Sequence, residues 1–451
     1  MIYRISRDTQ MTPDILAEYI AKAKAEVAKR YKPLGDAYKG VYPILSQKEK
    51  PQYKPDNRLV VNFAKYIVDT FNGFFIGNPV KTTCDEESIA QIVEQVQNMN
   101  DQDDNNAELA KLTSIYGKAY EMYFVTRNKT LGITYLPPTE AFMIYDEGVV
   151  EDPLYFVHWY KNADDEEVGS YSDASHIYYF KRNEGSYVIT DAIPHNFDGV
   201  PAAEFIENDE RQGIYESAMT LINGFNKALS EKANDVDYFA DSYMKILGAK
   251  MDEADKLELR NQRIINLDNI GGEQLVVEFM GKPNADETQE HLLTTMERLI
   301  YQICMVPNIN DEKFGTSSGI AMQYKLLNTL NLFKAKQRKF ESGMNRRWQL
   351  LFSHPLINGK VKADDWGKLR YRFTPNLPAN ALEEAQTAAQ LSGIVSRRTQ
   401  LEALSIVDNV QAEIERIEEE EQAQPELLLD FNAHDREDAG EEPEEENERQ
   451  S

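Results

Sequence analysis

Two cysteines, Cys84 and Cys304, stand far apart in 451 residues. No disulfide framework is expected from them, and a reducing compartment fits. Long apolar runs are also missing. The most apolar stretch, Ile67 to Val80, is broken by Asp69, Asn72, Gly73 and Gly77 and is too short to cross a bilayer. Met1 to Gln10 has no apolar core of the kind a secretory leader needs, so the reading is a protein outside the membrane. Catalytic signatures are absent too. There is no Gly-x-x-x-x-Gly-Lys-Ser/Thr phosphate loop, which removes support for an ATP-driven motor, no Gly-x-Ser-x-Gly elbow and no His-Glu-x-x-His. The six histidines (His158, His176, His195, His291, His354 and His434) have no ligand-like spacing. Neither a cofactor nor a metal is expected.

What is present is enough apolar residue, 41% against 28% charged, to bury a sizeable core in two or three domains. The formal charge of −27 is unevenly placed. From Glu413 onward there are seventeen acids against three arginines, about half of the excess. Such acidity argues against a protein that grips nucleic acid tightly, since that grip comes from lysine and arginine on phosphates. It does not argue against a surface past which DNA slides. Beyond Pro425 the tail is too acidic to fold alone.

The apolar period predicts helices over Pro13 to Tyr31, Asn62 to Phe71 (ended by Gly73, Gly77 and Pro79), Ile89 to Met99 and Ala107 to Tyr116. From Ala119 it changes to short β-rich runs: Tyr120 to Val125, Ile133 to Leu136, Phe142 to Tyr145, Leu154 to Tyr160, Ile177 to Lys181 and Tyr187 to Thr190. This is an antiparallel sheet in an α+β, predominantly helical chain. Ile214 to Tyr243 returns to helical spacing, with Met219, Ile222, Phe225, Leu229, Val236 and Phe239 on one side. An insert follows, with a helix over Asp252 to Gln262 and a hairpin of Arg263 to Leu267 with Gln274 to Phe279 around Gly271-Gly272. Then come a helix from Glu287 to Met305, a polar loop from Asn308 to Ser318, and a helix from Gly319 to Phe352 about 50 Å long. A strand, Leu369 to Phe373, and short helices at Ala381 to Ser392 and Arg398 to Leu404 close the ordered part, with Glu413 to Glu421 extending them. No internal repeat is present.

The acidic clusters Asp101 to Asp104 and Asp164 to Glu167 leave a two-metal nuclease to be weighed, although acids in turns usually cap helices or solvate loops. Cys304, beside Ile303 and Val306, reads as a small core residue.

The succession of Ile193-Pro-His-Asn-Phe-Asp-Gly-Val-Pro201, Glu204-Phe-Ile-Glu-Asn-Asp-Glu210 and the helix after Ile214 resembles the portal proteins of tailed bacteriophages, specifically those of long non-contractile-tailed phages of Gram-positive hosts. Asn62 to Pro79, and Met305 to Ala321 running into Arg346-Arg347, fit the same pattern. The likeness covers about residues 10 to 420 and lies in the order of the blocks, none of which is diagnostic alone.

The resemblance implies a ring, typically of twelve subunits, at one capsid vertex. Double-stranded DNA is packaged through its axis, retained and later ejected. It implies a wing over residues 1–212, a first stem helix over 213–243, a clip over 244–285 and a second stem helix over 286–306. A tunnel loop over 307–318, a long wing helix over 319–355, a wing return strand over 356–379, a crown over 380–422 and an acidic tail over 423–451 complete it. Met219, Ile222, Phe225, Leu229, Val236 and Phe239 become stem packing residues. Lys313, Phe314, Gly315, Thr316, Ser317 and Ser318 become the loop facing DNA, where one lysine touches phosphate without arresting sliding and glycine permits a hinge. The plainer alternative is a surface connector with Ser317 or Ser318 capping the next helix. Lys325, Lys334, Lys336, Arg338, Lys339, Arg346 and Arg347 are candidates for DNA or intersubunit contacts, or for a solvated face with surface ion pairs.

Implied partners are the large terminase subunit and head-completion adaptor at the clip, and the major capsid and scaffold proteins, with no membrane. The implied place is the virion's portal vertex after assembly in the host cytoplasm. The implied role is not enzymatic. Rivals are a metal-dependent nucleic-acid enzyme and a monomeric capsid adaptor. In the tail, Leu427-Leu-Leu-Asp-Phe431 between acids is either a short docking motif or residual crown helix.

Overall fold

The computed structural model describes residues 2–51, 54–240, 244–247, 276–279, 286–309, 319–377, 381–404, 406–407, 410–411 and 413–421. The chain divides into two compact units, Met1–Asn376 and Leu377–Ser451.

The first unit opens with a short strand, β1 (Tyr3–Ile5), whose Tyr3 and Ile5 point inward. Helix α1 (Pro13–Glu26) is capped by Thr12, with Pro13 at its first turn. The long helix predicted to Tyr31 instead passes through a π-turn at Val27–Tyr31 into α2 (Lys32–Tyr38). Helix α3 (Phe63–Ile76) starts where the Asn62 side chain accepts from the Lys65 amide at 3.1 Å. It runs straight through Gly73, which was expected to end it. A glycine costs a helix about 1 kcal/mol, whereas burying Phe74, Phe75 and Ile76 stabilises by roughly 1.5–3 kcal/mol each.

After β2 (Lys81–Thr83) come α4 (Glu87–Met99) and α5 (Gln102–Tyr116). Gly117 closes α5 at φ +84°, and a Cβ there would strike the Arg211 carbonyl. Strands β3 (Lys118–Val125), β4 (Leu131–Leu136), β5 (Ala141–Asp146), β6 (Pro153–Lys161), β7 (Glu167–Ser172), β8 (His176–Asn183), β9 (Ser186–Pro194) and β10 (Ala202–Ile206) follow. They form a six-stranded sheet in the order β1-β5-β6-β7-β8-β9 and a three-stranded sheet β10-β3-β4. Only β1 runs parallel to its neighbour in these two sheets. One face of the larger sheet buries Phe142, Val157, Trp159, Phe180 and Tyr187 against α1. At its β5–β6 end, the other face meets Tyr120, Val200 and Ala202 of the smaller sheet's surroundings.

Helix α6 (Met219–Ala240) is followed by β11 (Met244–Leu247), which pairs antiparallel with β12 (Val276–Phe279). The helix expected over 252–262 and the first strand of the expected hairpin, residues 263–267, fall outside the described residues. The described part of that second strand pairs with Met244–Leu247. Helix α7 (Asp286–Cys304) packs along α6, and α8 (Gly319–Ser353) extends for 35 residues, about 50 Å. The short α9 (Pro355–Asn358) leads to β13 (Arg370–Arg372), which pairs with β2 and ties the chain's late segment to its early one.

Most of these elements share one core. Phe75 meets Phe333, Phe340 and Phe373 at 5.4–5.7 Å between ring centroids. Gly343 lets α8 approach β10, since a Cβ there would come within 2.6 Å of the Phe205 ring.

In the second unit, α10 (Ala381–Leu391) turns at Gly393 (φ +78°) into α11 (Arg397–Glu402). Ser396 caps α11, and Gln400 Nε2 donates to the Ala388 carbonyl at 2.7 Å. Residues 413–421 are helical, and Arg397 pairs with Glu421 at 2.9 Å.

Candidate functional site

The sequence directs attention to α6, α7, the loop between α7 and α8, and α8 itself. Helix α6 has an apolar stripe, on which Ile222 and Phe225 are buried and Met219 and Leu229 pack partly buried against the core. Phe225 meets Phe63 edge-on at 5.0 Å, and Phe63 in turn meets Tyr301 of α7 at 5.7 Å. Val236, expected on the same packed side, is 64% exposed, because the core ends before the helix does. The Phe239 side chain lies outside the described residues.

A second stripe on α6 was not anticipated. Asn226, Ser230 and Asn234 stand four residues apart and hold an extended segment that runs along the helix. Asn226 Oδ1 accepts from the Val61 amide at 2.8 Å. Ser230 Oγ accepts from the Leu59 amide at 2.9 Å, and Asn234 Oδ1 accepts from the Asn57 amide at 2.6 Å. The match is geometric. Four helical residues rise about 6 Å, close to the ~6.6 Å spanned by two extended residues. Lys50 on Glu231 and Asn57 on Asp237 extend the attachment. Polar residues recurring at i, i+4 and i+8 were the available clue. They are hard to tell from an ordinary solvated face.

The end of the candidate tunnel loop that leaves α7 is anchored. Met305 takes φ +58° after α7, and its carbonyl accepts from Thr329 Oγ1 of α8 at 2.8 Å. Asn308 Nδ2 donates to Glu297 at 3.2 Å, and the Ile309 amide donates to the Tyr66 hydroxyl at 3.0 Å. Lys313, Phe314, Gly315, Thr316, Ser317 and Ser318 themselves lie outside the described residues. Cys304, at the end of α7, is buried, and burial pushes its thiol up to about 12. That is the state of an inert core cysteine.

The seven cations of α8 have unlike surroundings. Lys336 and Arg347 are fully buried within the chain, which corrects their assignment to DNA or intersubunit contact. Lys336 Nζ pairs with Glu207 at 2.6 Å and donates to Ser114 Oγ at 2.7 Å and the Ala110 carbonyl at 2.8 Å. Arg347 grips Glu121 in a fork at 2.7 and 2.9 Å and reaches Asn106 Oδ1 at 2.7 Å. Gln102 and the Tyr123 hydroxyl donate to the same carboxylate. Burial opposes the charge on Lys336 and lowers its pKa despite Glu207. Lys339 pairs with Asp209 at the surface. Lys325, Lys334 and Arg338 are exposed. Arg346 is half-buried beneath Gly199, with Nη1 on Gln349 Oε1 at 3.0 Å, and its burial outweighs the more distant Asp198 and Asp152.

The acidic clusters serve the fold. Asp101 adopts φ +48° where α5 begins, and Asp164 and Asp165 belong to a turn held by Asn162. Glu167 carries Lys24 at 2.5 Å and also the Tyr187 hydroxyl. Among the described residues, no group of three or more His, Cys, Asp or Glu could hold a metal ion. None of the described helices is long and apolar enough to cross a membrane.

Among the described residues the elements follow one another in the order in which the blocks stand in the sequence. A model of the family described as phage portal protein, SPP1 Gp6-like, matches residues 17–426. The chain belongs to that family. The portal protein of Bacillus phage SPP1 is 24% identical over 407 residues, covering 84% of this chain and 79% of that one. The portal protein of Clostridium phage phiCD119 is 21% identical over 425 residues, covering 87% and 91%. Among solved structures, the neck of an empty GTA particle computed with C6 symmetry aligns at TM-score 0.47 and 13% identity, covering 84% of this chain and 92% of that one. The neck of a native GTA particle computed with C12 symmetry gives 0.47 and 13%, covering 87% and 99%. Membership gives the function of a portal vertex subunit, a structural component of the virion in a family that is not enzymatic.

Proposed function

We propose that copies of this portal-family chain close into a ring, twelve in number, around double-stranded DNA that is packaged, retained and ejected along the axis. Helices α6 and α7 form the stem, residues 307–318 the tunnel loop, and residues 380–422 a crown. Residues 244–285 form the clip, where the large terminase subunit and later the head-completion protein dock. Major capsid and scaffold proteins meet the outer wing, and assembly takes place in the host cytoplasm.

The observation that carries this reading is apolar surface left without a partner along the stem and the adjoining half of α8. Tyr324 is 75% and Leu327 50% exposed on α8, Val236 is exposed on α6, and Leu292 and Ile303 are exposed on α7. Exposed apolar side chains of this kind fit a head-to-tail contact that closes by rotation. Lys313 supplies a single cation near the duplex and Phe314 brushes it, in a loop whose first residues are anchored to Tyr66 and α8. Few cations at the bore fit a conduit in which DNA must slide.

Sedimentation of the purified protein tests the ring. A mass of many subunits is expected, and a strict monomer at every concentration would remove it. Lys313→Ala and Phe314→Ala are expected to impair packaging or genome retention with folding intact, and normal packaging in both would remove the loop assignment. Incubation with DNA and Mg²⁺ or Mn²⁺ is expected to give no cleavage.

A further inference from the structure

A groove in the first unit lies where three elements meet: the last turns of α4, the β3–β4 hairpin, and α9 with the residues after it. Its volume is 140 Å³. Val96, Leu131 and Ile357 are buried in it, and Met99 and Leu356 stand 51% and 43% exposed. Lys129, held at φ +60° in the hairpin turn, and Lys360 complete the lining with Ile92, Gln95 and Thr130. No carboxylate is among these residues.

That combination is unusual for this chain, which carries 76 acids against 49 lysines and arginines. Some of its exposed lysines sit on acids, as Lys32 does on Asp36, Lys161 on Asp165 and Lys368 on Glu86. Lys129 and Lys360 are exposed with no ion pair among the described residues. An apolar floor with a positive rim and no acid suits a short peptide whose aliphatic residues are flanked by carboxylates.

The polypeptide supplies one. Glu426-Leu-Leu-Leu-Asp-Phe431 places three leucines and a phenylalanine among acids, in the stretch beyond the last described residue, Glu421. We propose that this groove docks the segment Glu426–Phe431 of a second copy of the chain. The leucines enter between Met99 and Leu356, and Glu426 and Asp430 meet Lys129 and Lys360. The affinity of one segment is modest, and neighbouring copies raise its effective concentration. The inference goes beyond the channel reading and does not need it, because peptide binding is measured on the chain in any state of assembly.

The test is a fluorescein-labelled peptide of residues 422–436 titrated into full-length protein by anisotropy. The protein carries Leu427→Ser, Leu428→Ser and Leu429→Ser, so that its own segment does not compete. Saturable binding is expected, weakened at least tenfold by Lys129→Glu with Lys360→Glu and likewise by Met99→Asp. The peptide with its three leucines changed to serine is expected not to bind. Thermal melting of each groove variant shows that the fold is retained. Absence of saturable binding would overturn the proposal. So would binding that ignores both groove variants, or equal binding by the serine peptide, since the contact would then be either elsewhere or charge alone.

Discussion

The two halves of the 35-residue α8 obey different rules. From Phe333 onward its inward positions are buried without exception: Phe333, Lys336, Phe340, Met344, Arg347 and Trp348. Before that point the burial is sparse, with Leu326 and Thr329 covered while Tyr324 and Leu327 face outward. One half is fixed by its own chain and can hold even charges in the interior. The other carries apolar side chains that this chain does not cover.

The comparison is broken most severely at the buried charges. Arg347→Met leaves the Glu121 carboxylate in the interior without its cation, and a loss of about 3–5 kcal/mol in urea unfolding is expected. Adding Glu121→Leu should recover much of it, since the cost lies in the orphaned charge and not in the missing attraction. Unchanged stability in the single variant would show that the network tolerates solvent.

Next comes the attachment of α6. Asn226→Ala removes the acceptor for the Val61 amide and is expected to cost about 1–3 kcal/mol. Proteolysis within residues 54–61 should speed up in parallel.

Acid should act at the far end of α8. His195 Nδ1 accepts from the Phe197 amide at 3.1 Å and Nε2 donates to the Asp173 carbonyl at 3.0 Å. His354 Nδ1 accepts from the Leu356 amide at 3.2 Å, and the Phe197 ring lies 4.7 Å away. Burial lowers the pKa of both histidines, with Asp173 partly opposing it at His195 and His176 adding to it. A neutral ring is thus favoured in the folded state, and the unfolded chain binds more protons. Stability is full above the unfolded histidine value near 6.5 and falls as pH drops from there towards the lowered folded values. Unfolding midpoints between pH 7.5 and 5 should show this slope, flattened by His354→Gln with His195→Gln.

The smallest effect on stability sharpens the comparison most. Tyr324→Ser with Leu327→Ser should shift folding by no more than about 0.5 kcal/mol and yet reduce assembly in sedimentation. A large loss of stability would mean that these residues are covered within the chain after all.

Strongly periodic segments were legible in advance. α4, α5, α6, α7 and α8 all lie where the apolar spacing put them, because each buries a continuous stripe. β1, β7 and β10 escaped notice. Tyr3–Ile5 is too short to show a period, Glu167–Ser172 reads as polar, and Ala202–Ile206 sits among turn residues. Their pairing, and not their propensity, makes them strands. The roles of the α8 cations were least legible. Lys336 and Lys339 stand three residues apart with the same chemistry, and only Glu207 and Asp209 decide that one is interior and the other superficial.

Taken by itself, the amino-acid order determined the helical blocks, the sheet region between them, the acid-rich end and the family, since periodicity and block succession are local properties of a chain. The tertiary structure alone decided which charges are buried, which apolar residues lack cover, how residues 57–61 grip α6, and that two distant histidines close around Phe197. Those outcomes depend on groups more than a hundred residues apart meeting within a few ångströms, and no local pattern records such meetings.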